Sequence, residues 1–477
     1  MQAMKFDNII IIAIVAIALL METLDTTIIN TSIPQIAASF GENPILLKFA
    51  LTSYLLSLAI FIPVSGWMAD RFGEKTIFIY AIILFACGSI CCGLSNNLVQ
   101  LIFSRILQGL GGAFMMPVGR LILMRSFTRE KLIMITNAIA IPSLLGPALG
   151  PVLGGFITTY WSWRWVFFVN LPFAMLCLLL VGQYISINVR QTYAPFNWYG
   201  FIIFSLAALS LSAGFETIGD ELISMHASLL LILFSILLFV FYGYYAKKIK
   251  NVFIDLSLFK IDTFKCTALI ITWSRIGFGG IPFLLPLLFQ ASLNMTPLQS
   301  GLLILPMPIG MLLMKFLVKP ILAAQGFKNT LKLIVISLSV SILSFAFINR
   351  STLHVVICIL TFLFGCVCSL YYACTDVLIY AEVDEKLMSR ATSLVSALQQ
   401  LSISFGVAIS ALSLRFFSHA SNLSQSINIH AFNHVFLVLA AIMLTVSYIL
   451  IYMRDDVGDE ICGRAMYKAE AIMEKME

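Results

Sequence analysis

Long apolar runs with charge confined between them decide what this chain can become. Ile9–Leu20 and Leu229–Val240 contain no charged residue, whereas Lys247–Lys250 and Asp455–Glu460 are dense in charge. Backbone in hydrocarbon must satisfy its own hydrogen bonds, and about 20 apolar residues in a helix cross ~30 Å. Runs of that kind fall at 9–33, 46–69, 76–94, 98–121, 133–158, 165–186, 198–217, 226–246, 264–290, 298–318, 331–349, 353–381, 391–417 and 431–453. Fourteen spans follow, in an all-α polytopic membrane protein. With 60% hydrophobic and 11% charged residues, the chain is excluded from the soluble class, where about 25% are charged.

The basic residues test this count. Of 29 Lys and Arg, 22 fall on the side that holds both termini and the connections after even-numbered spans. Only Lys48, Arg164 and Arg350 fall opposite, and Arg105, Arg275, Lys315 and Arg415 lie within spans. A miscounted span would scramble this asymmetry. By the positive-inside rule both termini are cytoplasmic, in a multi-pass protein of the inner (plasma) membrane. The net charge of +6 therefore faces the bilayer surface and not nucleic acid. Nine of the ten cysteines lie in or beside apolar runs and read as buried thiols, not as a disulfide framework or a zinc site. The first apolar segment has no small-residue cleavage site and reads as a retained helix.

Polar links at Ser186–Asn197 and Lys247–Lys265 divide the spans into six, two and six. The expected organisation is a six-helix bundle at 1–190, a two-helix insertion at 191–250, a second six-helix bundle at 251–454 and a cytoplasmic tail at 455–477.

Several motifs run in order along the chain. Gly66-Trp-Met-Ala-Asp70-Arg71-Phe-Gly73-Glu74-Lys75 follows span 2, and Arg105 with Gln108-Gly109-Leu-Gly111-Gly112 lies in span 4. Gly146-Pro147-Ala-Leu-Gly150-Pro151-Val-Leu-Gly154-Gly155 lies in span 5. Together with Leu24-Asp25-Thr-Thr27, Trp163-Arg164-Trp165, Asn170-Leu-Pro172 and Pro297-Leu-Gln-Ser-Gly301, these resemble the major facilitator superfamily. The match is to its fourteen-helix drug:proton antiporter branch, of the EmrB and QacA kind. The resemblance implies the major facilitator fold, a monomer, and proton-coupled export of small organic molecules by alternating access. It also implies that Asp70 and Arg71 form a cytoplasmic latch and that the span 5 glycines form a hinge or seal. Glu74 stands where the family usually has Arg, so Lys75 would have to replace that part of a charge relay.

Ionisable groups inside spans are costly and point to function. Asp25 lies ~13 Å and Arg105 ~10 Å from the outer edge at 1.5 Å per residue, so the two can be neighbours. Glu22, three residues before Asp25, shares nearly the same face. A carboxylate that gains or loses a cation between two conformations binds and releases a proton. Asp25, with Arg105 and Glu22, is therefore the expected coupling site, against the simpler reading of a static ion pair. In the second half, Arg275 and Lys315 lie ~22 and ~26 Å deep with Asp376 as the nearby acid. Two cations suggest anionic groups on the substrate; the plainer reading has Lys315 reaching the interface and Arg275 bonding carbonyls. Tyr54, Gln108, Trp273 and Tyr371 complete the expected substrate residues. Pro282, Pro286, Pro306 and Pro308 break spans 9 and 10.

His430 and His434 are spaced four apart, but an interfacial position explains them, and no metal or other cofactor is expected. The partners are a small-molecule substrate, protons and the lipid bilayer. No catalytic set of a membrane enzyme and no nucleotide-binding Gly-x4-Gly-Lys motif is present. The rival within the fold is proton-symport uptake of an organic acid or an iron chelate.

Overall fold

The computed structural model describes residues 6–127, 129–185, 195–218, 223–249, 252–384, 387–419, 428–454 and Val457. Most of the link Ser186–Asn197 and, apart from Val457, the expected tail 455–477 lie outside the described residues. The described secondary structure is helical throughout. The helices are α1 (Phe6–Ile28), α2 (Ile33–Phe40), α3 (Lys48–Phe72), α4 (Glu74–Leu94), α5 (Leu98–Ser126) and α6 (Arg129–Tyr160). They continue with α7 (Trp165–Phe168), α8 (Asn170–Tyr184), α9 (Trp198–Thr217), α10 (Met225–Lys248), α11 (Asp262–Phe278) and α12 (Ile281–Leu287). The last five are α13 (Pro297–Ile304), α14 (Pro306–Phe345), α15 (His354–Leu378), α16 (Met388–His419) and α17 (Ile429–Ile451). Twelve described helical segments are long and apolar enough to cross a membrane.

Helix ends follow local chemistry. Asn97, Asn197, Ser224 and Asn428 each accept a backbone N–H two or three residues on, satisfying an otherwise orphaned donor at the start of α5, α9, α10 and α17. Gly73, at φ 91°, separates α3 from α4 within a single residue. Gly326, at φ 73°, interrupts α14 in the same way, and the helix resumes on either side of it. The link expected between residues 318 and 331 is thus one left-handed glycine, a conformation that other residues adopt only with strain.

The chain divides into two units: Met1–Ile254 with Pro282–Leu302, and Asp255–Ile281 with Leu303–Glu477. In the first, α1 packs on α6, α8 and α5, α5 lies against α3 and α4, and α9 pairs with α10 and α3. Ile14, Ala18, Phe78, Phe85, Cys177 and Val181 form part of its core. The expected insertion, 191–250, falls within this unit. In the second, α14 packs on α15 and α17, and α11 on α16 and α17.

Candidate functional site

The first unit buries an acid and a base together. Asp25 is fully buried on α1, and Arg105, 1% exposed on α5, donates from Nη1 to its Oδ2 at 2.5 Å. Gln108, one turn after Arg105, donates to Asp25 Oδ1 at 2.7 Å and to Ser89 Oγ at 2.7 Å, and accepts from Arg105 Nη1 at 2.7 Å. Asn170, the first residue of α8, donates to the same Oδ1 at 3.0 Å. Arg105 Nε reaches the Ala50 carbonyl of α3 at 3.3 Å, and the guanidinium stacks 4.1 Å from the Tyr54 ring centroid. Four helices thus supply the partners that two buried charges require.

The local sequence allows this convergence because α5 is stripped of side chains around the site. A Cβ on Gly111 would lie 2.4 Å from Phe85 N, and one on Gly88 would lie 2.5 Å from the Gln108 Cα. Backbone contact at both places brings Gln108 onto Ser89. Thr23, Thr26 and Thr27 turn their hydroxyls back to carbonyls of α1, leaving the carboxyls as its strong acceptors in this stretch.

Glu22 is 8% exposed, and its Oε2 has no hydrogen-bond partner among the described residues. Arg120 lies within electrostatic range of it. The Tyr54 hydroxyl, also buried, is likewise without a partner. Gln108 has both amide atoms engaged in the charge site, so its polar groups serve Asp25 and Arg105. Sequence reasoning missed Ser89 and the role of Asn170, although Asn170 stood inside a quoted motif. A neutral polar residue in an apolar helix is a weak signal when Ser and Thr are common.

The glycines of α6 face α1 in register. A Cβ at Gly146 would lie 2.1 Å from Thr23 Oγ1, at Gly150 2.1 Å from Thr27 Oγ1, and at Gly154 2.2 Å from the Ile28 carbonyl oxygen. Thr27 Oγ1 donates to the Gly146 carbonyl at 3.2 Å. This is close small-residue packing between helices in a membrane. Pro147 is partly buried between two of these contacts. Gly155 turns elsewhere, to Pro297, while Gly301 meets Pro151 at 2.2 Å from its own would-be Cβ. Pro286 and the π turn Leu288–Ser292 aim Gln290 at the Thr31 carbonyl (2.9 Å) and at Gln35 (3.0 Å).

At the α3–α4 turn, Arg125 of α5 binds Asp70 at 2.8 Å and also Glu74, whose side chain is fully buried. The cation beside Asp70 and Glu74 is therefore Arg125, a residue that the sequence counts among the basic residues of its side. Lys75, expected in that role, donates to the Gly182 carbonyl at 3.1 Å. Arg71 lies over the Trp67 ring, and Gly66 has open space around it.

In the second unit, Arg275 is 7% exposed, its guanidinium 5.2 Å from the Tyr372 ring centroid, and its Nε has no partner. Ser274 is buried beside it, and Tyr371, fully buried with its ring against Phe278, lies within hydrogen-bond reach of both Ser274 and Arg275. Lys315 is exposed among exposed Leu312, Leu313, Phe316 and Leu317. The two cations expected to act as a pair therefore have opposite environments, and no contact joins them. The exposed Lys315 matches a long side chain carrying its charge outward along apolar surface. Trp273 and Asp376 are exposed too, and Asp376 accepts weakly from Gln399 at 3.4 Å. His434 donates from Nδ1 to the His430 carbonyl and stacks on Phe417, and no metal-ligand cluster occurs among the described residues. At the start of this unit burial raises the Asp255 carboxyl. The Ser257 hydroxyl and N–H with Arg390 (2.9 Å) outweigh that and hold it below the usual carboxylate range.

An all-helical chain whose first half closes a buried Asp–Arg pair inside a bundle has the build of a secondary transporter. Residues 15–266 and 267–461 each match the sequence profile described as Major Facilitator Superfamily. The chain belongs to that family of transporters. It is 32% identical over 449 residues to the "Probable transport protein HsrA" of Haemophilus influenzae, covering 94% of this chain and 96% of that protein. It is 35% identical over 435 residues to the "Putative multidrug resistance protein MdtD" of Serratia proteamaculans, covering 90% of each. Among solved structures, an auto inhibited POT family peptide transporter aligns with a TM-score of 0.69 at 15% identity, covering 93% of this chain and 96% of that one. The nucleoside transporter NupG aligns with a TM-score of 0.62 at 13% identity, covering 94% and 98%. At those identities the likeness is one of fold.

Proposed function

We propose that this protein exports small organic molecules across the inner membrane in exchange for protons. It works as a monomer of fourteen spans with both termini cytoplasmic, by rocking two bundles about a midplane site. Twelve apolar helical segments, the additional helix α6 and the break of α14 at Gly326 support the count of fourteen, arranged as six, two and six. The asymmetry of Lys and Arg supports the orientation. The names of the relatives support drug export.

One observation carries the reading: Asp25 is fully buried, and its ion-pair partner among the described residues is Arg105. When a rearrangement of α1 against α5 separates them, the carboxyl loses the interaction that favours its ionised form and takes a proton. When they rejoin, it gives the proton up. Asn170 of α8 keeps its bond to the carboxyl in both conditions, while Gln108, on α5, parts from it together with Arg105. Glu22 lies one turn away as a further acid on this path. The seam between α1 and α6 is where such a movement would be guided.

Arg275, with Ser274, Tyr371 and Tyr372, supports a site for an anionic group on the substrate, because a buried guanidinium keeps one N–H unused among the described residues. Lys315 does not belong to this site. Transport of a panel of dyes, drugs and organic acids in proteoliposomes under an imposed pH gradient tests both points. Wild type is expected to drive substrate against an inward proton flow. Asp25→Asn is expected to abolish this, and Arg275→Ala to impair anionic substrates selectively. Substrate entering together with protons would replace export by symport.

A further inference from the structure

A second pair of buried charges lies in the first unit, apart from Asp25. Lys48 opens α3 and is only 1% exposed, though the sequence places it among the few basic residues of its side. Its ammonium donates to the main-chain carbonyl of Glu216 at 2.7 Å and lies in electrostatic range of that residue's carboxylate. Glu216, 6% exposed in the last turn of α9, accepts from Ser212 Oγ at 2.6 Å, and Thr52 of α3 lies at hydrogen-bond distance from its carboxylate. One residue on, the Thr217 and Ser228 hydroxyls join α9 to α10 at 2.9 Å. The arrangement is specific. A cation at the first residue of α3 opposes that helix's own dipole, whereas the C-terminal carbonyls of α9 attract it. Lys48 therefore serves the junction with α9 and not its own helix.

The other end of α3 is tied to the same hairpin. Trp67 meets Phe196 (ring centroids 4.8 Å apart), Phe61 meets Phe201 (5.8 Å), and Phe253 closes on Phe201 (5.4 Å). Tyr242 of α10 bonds both the N–H and the carbonyl of Ile254, at 2.6 and 2.9 Å, and Tyr245 donates to Asn197 at 2.9 Å. Lys48 and Trp67 are ~28 Å apart along α3 at 1.5 Å per residue. One attachment would act as a pivot. Two attachments at that separation remove the freedom to swing.

We infer that Lys48 and Glu216 clamp the α9–α10 hairpin to α3, so that it travels as part of the first unit through the transport cycle. The moving body then carries spans 7 and 8 along with the first six, whatever the division of the sequence. This inference rests on the alternating-access reading, and its tests are separable from it.

Phe61→Cys and Phe201→Cys, introduced together after replacement of the ten native cysteines, can be joined by a short reductant-cleavable bis-thiosulfonate. The joined protein is expected to transport within about two-fold of its reduced form. Loss of transport on joining, restored by reductant, would overturn the inference. A second test needs no transport at all. Lys48→Met and Glu216→Gln are each expected to lower the thermal midpoint in detergent, and the double variant to lie closer to wild type than either. A double variant whose loss equals the sum of the two would show that no clamp exists.

Discussion

Removing the guanidinium of Arg105 while leaving Asp25 in place would strand a carboxylate that has no exposed surface. Breaking one side of a buried ion pair costs about 3–5 kcal/mol, because the remaining charge loses its compensation. The amides of Gln108 and Asn170, at 2.7 and 3.0 Å, stay with Asp25, and such bonds in membrane interiors average about 0.6 kcal/mol each. They cannot replace the cation. At about 2.1 cal/mol/K per residue, a 477-residue chain unfolds with an entropy near 1 kcal/mol/K, so the midpoint of Arg105→Ala should fall by about 3–5 °C. Asp25→Asn should fall by a similar amount, since it strands Arg105. The double variant Asp25→Asn with Arg105→Gln removes both charges and should recover most of the loss. Tryptophan fluorescence on detergent-purified protein reads the midpoints, and counterflow in proteoliposomes reads the function. All three variants should lose pH-driven transport. A double variant that is stable and still pumps under a pH gradient would refute the role of Asp25 in coupling and leave the pair as a structural tie. A double variant as unstable as the two losses combined would refute the charge argument itself.

Three further outcomes follow from the geometry. Gly154→Ala should abolish transport, because its Cβ would meet the Ile28 carbonyl at 2.2 Å, whereas Gly66→Ala, with nothing within 4 Å, should transport normally. Arg125→Gln should lower the thermal midpoint more than Asp70→Asn does, since only the former strands the buried Glu74 without its cation. Asp255 has a depressed folded pKa, so its contribution is complete above the unfolded value near 3.9 and fades as pH falls through the folded one. The gap in thermal midpoint between wild type and Asp255→Asn should therefore be constant above about pH 5 and shrink below about pH 3.9.

What the sequence made visible was whatever conflicts with hydrocarbon. Asp25 and Arg105 stood out because a charge inside an apolar run demands a reason, and rise per residue alone put them at similar depth. The partners Ser89 and Asn170 stayed hidden, since a neutral polar side chain fits many places in a helix. Arg125 and Lys48 were misleading for the opposite reason. Each sits at the end of an apolar run, where a cation is ordinarily solvated, and only tertiary packing buries Lys48 or turns Arg125 onto Glu74. Glu216 lies 168 positions from Lys48, too far for any local pattern to join them. Gly326 fell in the gap between the spans expected to end at 318 and to start at 331, because composition cannot show that one left-handed residue turns the chain between helical stretches.

The facing ladders Thr23, Thr27, Thr31 and Gly146, Gly150, Gly154 leave room on one side only. Space for one extra methyl along α6 would have to come from α1, by reducing Thr27 to glycine at the middle rung, where the nearest main-chain atom would be 3.1 Å away. At the first and third rungs even that exchange fails, for Leu24 N at 2.7 Å and the Ile28 carbonyl at 2.2 Å are main chain. Sequence drift along this seam should thus be paired at Gly150 and forbidden at Gly146 and Gly154, a pattern that a library randomising both helices together would reveal.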